Sequence, residues 1–509
     1  MNTQPDFIIV GGGTAGSIIS RRLIDAGKTV HLLEAGRADV NPAIHDISRL
    51  GELWLSQDDW GYFTTPQKDA FGRKLHWPRG KVLGGSHSLN ASIYVRGNHA
   101  DFDRWEAAGN PGWGWKDVQP VYEKIENYLG EASALRGTGG LLDVTTDYPK
   151  APIQVSGLAA AVEAGVPLNP DYNGDSQEGG NFEQLNMRGG ERQSTYRAYL
   201  HPLIGHKNLT VTTGAWVHRV IIEDGRAVGV EYEKDGDIHV LHGGEVVLCS
   251  GALDSPRVLL QSGIGPKKDL EALGIDVVKD LPGVGENLHD HLLVPVIYAT
   301  TKKDVGPPPP GVPITQVHWF TTSRPGLPVP DTQPIIFSVP MVNADTMPNP
   351  PATGFTIMGG LVTPKSRGTF KLSAKDPHAL TLQDPHILEN PDDMTSLIFS
   401  VKEARRVGTQ PALAEEWGAV EVYPGPDVVT DAQLEDYIRH NAITYHHQVG
   451  TAKMGVDELA VVSPTLHVYG IEGLRVADAS VMPSVPTGNT NAPSMVIGEK
   501  AAAFILAGK

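Results

Sequence analysis

The stretch Phe7-Ile8-Ile9-Val10-Gly11-Gly12-Gly13-Thr14-Ala15-Gly16 carries the reading of the fold. Four apolar residues, most of them β-branched, read as a buried parallel strand. They lead straight into G-x-G-x-x-G, after which Ile18, Ile19 and Leu23 recur at helical spacing until Gly27 ends the pattern. Thr29-Val30-His31-Leu32-Leu33 then reads as a second strand, finishing at Glu34 and followed by Ala35. Gly11 permits the tight turn, Gly13 lets backbone approach a pyrophosphate, and Gly16 lets helix and strand pack closely. Thr14 and Ala15 open a helix whose free N–H groups and positive end suit phosphate. Glu34 can accept both hydroxyl hydrogens of an adenosine ribose, which favours FAD or NAD over NADP. The motif does not choose between those two.

The chain has 509 residues, enough for two domains, and its 40% hydrophobic and 20% charged content is that of a soluble globular enzyme. A formal net charge of −17 argues against nucleic acid and anionic membrane surfaces as partners. No apolar run is long enough to span a bilayer. Cys249 is the single cysteine, so no intramolecular disulfide forms, which suits a reducing compartment. With no secretory signal or peroxisomal address in the sequence, the expected location is cytoplasmic.

Further segments choose the cofactor. Gly80-Lys81-Val82-Leu83-Gly84-Gly85-Ser86-His87-Ser88-Leu89-Asn90 resembles the first signature of the glucose-methanol-choline (GMC) oxidoreductases. Gly251-Ala252-Leu253-Asp254-Ser255-Pro256, continuing to Ser262-Gly263-Ile264-Gly265, resembles the second. Pro282-Gly283-Val284-Gly285-Glu286-Asn287-Leu288 is similar to a family loop. His447-Gln448-Val449-Gly450-Thr451-Ala452-Lys453-Met454-Gly455, Asp478-Ala479-Ser480 and Asn489-Thr490-Asn491-Ala492-Pro493 resemble the family's catalytic end.

The resemblance implies an α/β protein with an FAD-binding Rossmann-like domain and a discontinuous substrate domain built on an antiparallel sheet. It implies FAD contacts from Arg79, Val82, Gly84, Gly85, Ser86, Asn90, Ala91, Val217, Gly251, Asp478, Ala479, Asn489 and Thr490, besides the residues of the first motif. It also implies oxidation of a small primary alcohol to the aldehyde, with hydride passing to flavin N5 and electrons then to O2 or a quinone- or dye-type acceptor. Oligomer formation is left open. A flavin-containing lyase of the same fold, hydroxynitrile-lyase-like and without net redox, is the alternative.

His447 falls on the family's catalytic histidine, where a neutral imidazole can accept the alcohol proton near pH 7. Asn489 falls on the second catalytic position, and its amide can donate to the developing alkoxide. Relatives often have proline where this chain has Gln448. His446 reads as a neighbouring side chain that lines or supports the cavity.

From the residues themselves, Gly84-Gly85 would bring backbone against a flat ligand. Val246-Val247-Leu248-Cys249 reads as a strand, with a helix expected from Ser255 and Pro256 at its first position. Asn491 and Pro493 read as a helix cap and first-turn proline. Asp101, Asp103 and Glu106 read as a solvated helix face beside Trp105, Trp113 and Trp115. His289-Asp290-His291 does not read as a metal site, because no further ligand cluster stands beside it. Gly306-Pro307-Pro308-Pro309-Pro310-Gly311 is a stiff stretch between glycines that reads as an entrance flap or an inert surface loop.

Scattered cofactor motifs imply a discontinuous FAD domain, residues 1–145, 188–296 and 441–509, with 146–187 and 297–440 forming the substrate domain. Strand-like runs there include residues 333–339 and 368–372.

Some relatives attach FAD through a histidine immediately before the position matching Asn90. Leu89 stands there in this chain, and His87 lies two residues earlier, so FAD is expected to be non-covalent. The competing reading makes His87 an unusual attachment point. Acid precipitation of the yellow protein should leave all colour in the supernatant; a yellow pellet would mean a covalent bond.

Overall fold

The computed structural model describes residues 4–509. Its first strand, Phe7–Val10, passes into the helix Thr14–Asp25 and the strand Val30–Glu34, as the opening motif requires. Phe7–Val10 lies at the centre of a five-stranded sheet, in the order Leu209–Thr213, Val30–Glu34, Phe7–Val10, Glu245–Leu248, Leu474–Val476. Every neighbouring pair is parallel. Ile8, Ile9, Leu32, Val246 and Val247 are wholly buried, as expected of a sheet covered on both faces. The strands' carboxyl ends share one edge, so the loops after Val10, Glu34, Leu248 and Val476 converge where ligands of such sheets bind.

The C-terminal helix Asn491–Leu506 packs on Thr14–Asp25. Glycine suits their close approach, because a Cβ on Gly498 would make a tight 3.1 Å contact with Ala15 Cα.

The second sheet is antiparallel, in the order Ala419–Tyr423, Leu292–Thr300, Gly354–Leu361, Ile335–Phe337, Thr315–Phe320, Gly179–Phe182. The short strand Ile443–Thr444 also pairs with Leu292 and Leu293. Helices Pro152–Glu163 and Pro391–Gly408 share its core. Leu292–Thr300 spans the boundary drawn at residue 296. The hairpin of Thr369–Leu372 and Thr381–Asp384 lies in the sequence assigned to the substrate domain. Its Phe370 and Leu372 nevertheless enter the core of the parallel-sheet lobe.

Three local expectations are corrected. The helix after Cys249 starts at Gly251 rather than Ser255, and Pro256 lies inside it. Proline there removes the donor to the carbonyl four residues back. Thr451 Oγ1 supplies it instead, donating to Ala252 O at 2.5 Å. At the last helix, Thr490 is the cap residue, without a side-chain cap bond, and Asn491 is already helical. The side-chain Oδ1 of Asn491 accepts from Thr14 Oγ1 at 2.8 Å, linking the two helices' N-termini. Asp101 is fully buried, not solvated.

The proline-rich residues 306–310 are irregular, and Gly311 N donates to Asp46 Oδ1 at 3.0 Å. Among the described residues, no helix is long and apolar enough to cross a membrane.

Thr451→Val should leave the Ala252 carbonyl buried and unpaired, costing about 1–3 kcal/mol in urea unfolding. In a Pro256→Ala background the restored N–H can take over, so the same substitution should cost markedly less. Equal costs in both backgrounds would mean that Thr451 does not compensate for the proline.

Candidate active site

One continuous cavity runs from the edge of the parallel sheet to the antiparallel sheet. At its first end the backbone is drawn together by glycine. Gly84 N donates to Gly12 O, and a Cβ on Gly85 would lie 2.8 Å from Gly13 Cα. The helix beginning at Thr14 has glycine as its cap residue, no side-chain cap and no acid in its first turn. Its terminal N–H groups are therefore available to an anion.

Glu34 lines this end, accepting from Gly12 N and Gly36 N, both at 2.8 Å. Burial pushes its carboxyl up to about 7 against those two donors. Asp478 accepts from Gly251 N and from the Ser255 hydroxyl. Arg79 donates to the backbone carbonyl of His446 at 2.5 Å. Among the described residues, the buried Asn491 Nδ2 and His446 Nδ1 have no partner. Close backbone, uncapped helix ends and unsatisfied polar groups along one slot fit a dinucleotide such as FAD.

Gly11, Gly13, Thr14, Ala15, Glu34, Ala35, Arg79, Gly85, Ser86, Asn90, Ala91, Val217, Gly251, Asp478, Ala479, Asn489 and Thr490 all line the cavity. Gly16, Val82 and Gly84 do not. A Cβ on Gly16 would lie 2.0 Å from Gly11 O, so Gly16 serves the turn's packing. Val82 is buried with Ala43, Ile44, Leu53 and Leu89. His87 is also turned away: its Nδ1 accepts from Thr195 N at 3.1 Å, and burial lowers the imidazole to about 3.

Midway along the cavity His447 meets Asn489, with Nε2 3.2 Å from the amide nitrogen. The His447 ring is stacked on Tyr445, centroids 4.7 Å apart, and its Nδ1 is 3.0 Å from Nδ1 of His291. An Asn489 N–H donating to Nε2 requires a lone pair there. The His447 proton is then on Nδ1 and donates to His291. Burial first, then the neighbouring His291, His446 and Arg79, hold His447 well below the usual imidazole range, so it is neutral at pH 7. Burial lowers His291 to about 3.

Backbone and amide orientation are both enforced. His446 adopts a left-handed φ of 66°, and the following N–H of His447 donates to Asp290 Oδ1 at 2.7 Å. Gln448 Nε2 and the Thr444 hydroxyl also donate to Asp290. Gln333 Nε2 donates to Asn489 Oδ1 at 3.2 Å, turning the amide nitrogen toward His447. Buried Asp101 accepts from the backbone N and hydroxyl of Thr487, just before Asn489.

Reasoning from sequence missed Tyr445, Asp290, His291, Gln333 and Asp101 in these roles. The His289-Asp290-His291 triplet was visible as chemistry, but its partners lie more than 150 positions away along the chain.

A GMC oxidoreductase family model matches residues 5–293, and its C-terminal counterpart matches 364–498. The chain belongs to the GMC oxidoreductase family. It is therefore an FAD-dependent alcohol oxidoreductase, and the lyase alternative is not favoured. It is 37% identical to an alcohol dehydrogenase [acceptor] of Pseudomonas putida, over 98% of this chain and 95% of that protein. It is 35% identical to an oxygen-dependent choline dehydrogenase of Rhizobium meliloti (strain 1021), over 99% and 96%. Among solved structures, pyridoxine 4-oxidase from Mesorbium loti superposes with a TM-score of 0.92 at 31% identity, covering 98% of this chain and 99% of the other.

Gln333→Met keeps bulk but removes the donor that turns the Asn489 amide. Loss of one such orientation should lower kcat about tenfold with KM nearly unchanged. An unaltered kcat in steady-state assays would remove Gln333 from this role.

Proposed function

We propose that this GMC oxidoreductase oxidises an uncharged, ring-bearing primary alcohol, with His447 as base and Asn489 as alkoxide donor. The observation that carries the substrate class is the wall on the antiparallel side of the cavity. Leu293, Ile335, Phe337, Met341, Met358, Ile443 and Tyr445 form it with Ile93, and Thr315 brings a hydroxyl. No charged side chain is among them. Glu34, Asp254, Arg257 and Asp478 line the cavity from elements of the parallel-sheet lobe, and Arg79 sits beside His446 and His447.

Such a surface rewards burial of apolar area, about 25 cal/mol per Å². It offers a quaternary ammonium no counter-charge. Glu183, bonded to Thr315, is pushed by burial up to about 8 and is protonated at neutral pH. Similarity to a pyridoxine 4-oxidase supports a ring in the substrate.

The alcohol oxygen, placed between His447 Nε2 and the Asn489 amide, gives its proton to the imidazole while accepting from the amide. His447 Nδ1 keeps its hydrogen bond to His291, so the ring does not rotate as its charge changes. Tyr445 and the apolar wall exclude water from the new imidazolium–alkoxide pair, strengthening their attraction.

FAD would be held by the Gly11–Gly16 turn, Glu34, Gly85, Ser86, Asn90, Gly251, Asp478 and Ala479, without a covalent bond, since His87 faces away. When bound it supplies the two-electron acceptor for the carbinol carbon. The lobe around the parallel sheet is the cofactor domain in this reading, and the antiparallel lobe is the substrate domain. Turnover further needs O2 or a quinone- or dye-type acceptor, and a cytoplasmic setting suits the single, buried Cys249.

An anaerobic panel of benzylic, heteroaryl, aliphatic and choline-type alcohols, read by flavin bleaching, tests the substrate class. Uncharged ring-bearing alcohols should bleach fastest, and preference for choline would overturn the assignment. His447→Ala should retain FAD but bleach roughly 10²–10⁴-fold more slowly. Near-normal bleaching would remove His447 as base.

A further inference from the structure

Outside the cavity, three metal-ligating side chains from separate segments converge. His218 comes from the strand Trp216–Glu223, Glu233 from the strand Arg226–Lys234, and His378 from the turn between Thr369–Leu372 and Thr381–Asp384. One ligand atom from each lies within 4.8 Å of the others. His218 Nε2 is 3.4 Å and His378 Nε2 is 2.8 Å from the same carboxylate oxygen, Glu233 Oε2. Bonds of about 2.0–2.1 Å in a tetrahedral zinc site put neighbouring ligand atoms roughly 3.3 Å apart, close to both imidazole–carboxylate distances.

Two independent observations point the group at a ligand. His218 is only 6% exposed, and its Nε2, facing Glu233, has no hydrogen-bond partner among the described residues. It is also the extra residue of a β-bulge: the register slips between Val217 and Arg219 opposite Tyr232 and Glu231. Bulges of this kind re-aim one side chain out of the regular alternation. His378 is half-exposed and leaves the site open to solvent, which provides an entry path and a water as fourth ligand.

We propose that His218, Glu233 and His378 form a binding site for a borderline divalent cation, Zn2+ best, that staples the His378 turn to the two strands. Two imidazoles and one carboxylate suit Zn2+ better than Mg2+ or Ca2+, which take all-oxygen sets. The site is structural rather than catalytic, because none of its ligands lines the active cavity. It nevertheless touches the cofactor end. Trp216 lines the cavity, and its ring meets His218 and His378 edge-on at 5.2 and 4.8 Å. Fixing both imidazoles would therefore fix this part of the wall.

The test uses tag-free, EDTA-treated and dialysed holoenzyme, titrated with Zn2+ by calorimetry. One Zn2+ per chain is expected, with affinity falling at least about tenfold in His378→Ala, whose exposed position makes misfolding of little concern. Co2+ should give intense absorption bands above the flavin region, the sign of a tetrahedral site, and these should vanish in Glu233→Gln. Bound Zn2+ should also slow release of FAD during dilution in the wild type but not in His378→Ala. Equal Zn2+ affinity in wild type and His378→Ala, or no binding at all, would overturn the proposal.

Discussion

A single buried carboxylate couples the two lobes. Asp290 stands two residues before the strand Leu292–Thr300 of the antiparallel sheet. It collects hydrogen bonds from His447 N, Gln448 Nε2 and the Thr444 hydroxyl, all on the segment that returns to the parallel-sheet lobe. Burial raises its carboxyl to about 6, opposed by those donors, so the charged form prevails at neutral pH. Donors to a charged acceptor are stronger than neutral pairs, and leaving the group unpaired would be costly. The left-handed turn at His446 persists because both its ends are held, by Arg79 on its carbonyl and by Asp290 on the next N–H.

Burial gives His447 both its advantage and its handicap. It keeps the ring neutral, with a lone pair for the alcohol proton, but it also makes that ring a weak base. The surrounding groups offset this only at the moment of transfer. In the proposed mechanism Asn489 would lower the cost of the alkoxide, and His291 would accept the Nδ1 hydrogen bond of the imidazolium without adding a negative charge to the cavity. A carboxylate in place of His291 would bind the imidazolium more strongly, but would have to remain charged while the site is empty. The neutral dyad is compatible with a substrate wall that contains no ions.

The elements legible in the sequence are those fixed by contacts between near neighbours in the chain. The strand before Gly11, the helix after it and Glu34 at the end of the next strand follow from local pattern. His447 and Asn489, matched one by one to a family pattern, do meet in space. Local rules misled where a distant group had replaced the usual partner. Proline at position 256 pointed to a helix start because the Thr451 hydroxyl that satisfies the freed carbonyl comes from nearly two hundred residues away. Asp101 looked solvated for the same reason, since its partner Thr487 is remote in sequence. Gly16, Val82 and Gly84 belong to cofactor motifs, yet they shape the turns that other residues use for contact. Motif membership identifies the region, and packing decides which atoms face the ligand.

Charge distribution along the cavity sets how selective the enzyme can be. Four of the cavity's ionic groups, Glu34, Asp254, Arg257 and Asp478, come from the parallel-sheet lobe, and Arg79 is bound to the His446 carbonyl. The substrate end has aliphatic, thioether and aromatic surface with little polarity besides Thr315 and Tyr445. A surface of this kind separates substrates differing by one methylene by only about 1–3 kcal/mol, and it rejects charge far more strongly than it distinguishes shape. Methionine at positions 341 and 358 adds side chains that adapt to rings of different outline. In the proposed mechanism His447 and Asn489 fix the position of the hydroxyl, while the rest of the alcohol is constrained mainly by its solubility in an apolar pocket. On the proposed reading, breadth across uncharged alcohols, with exclusion of cations and anions, is the selectivity this arrangement would produce.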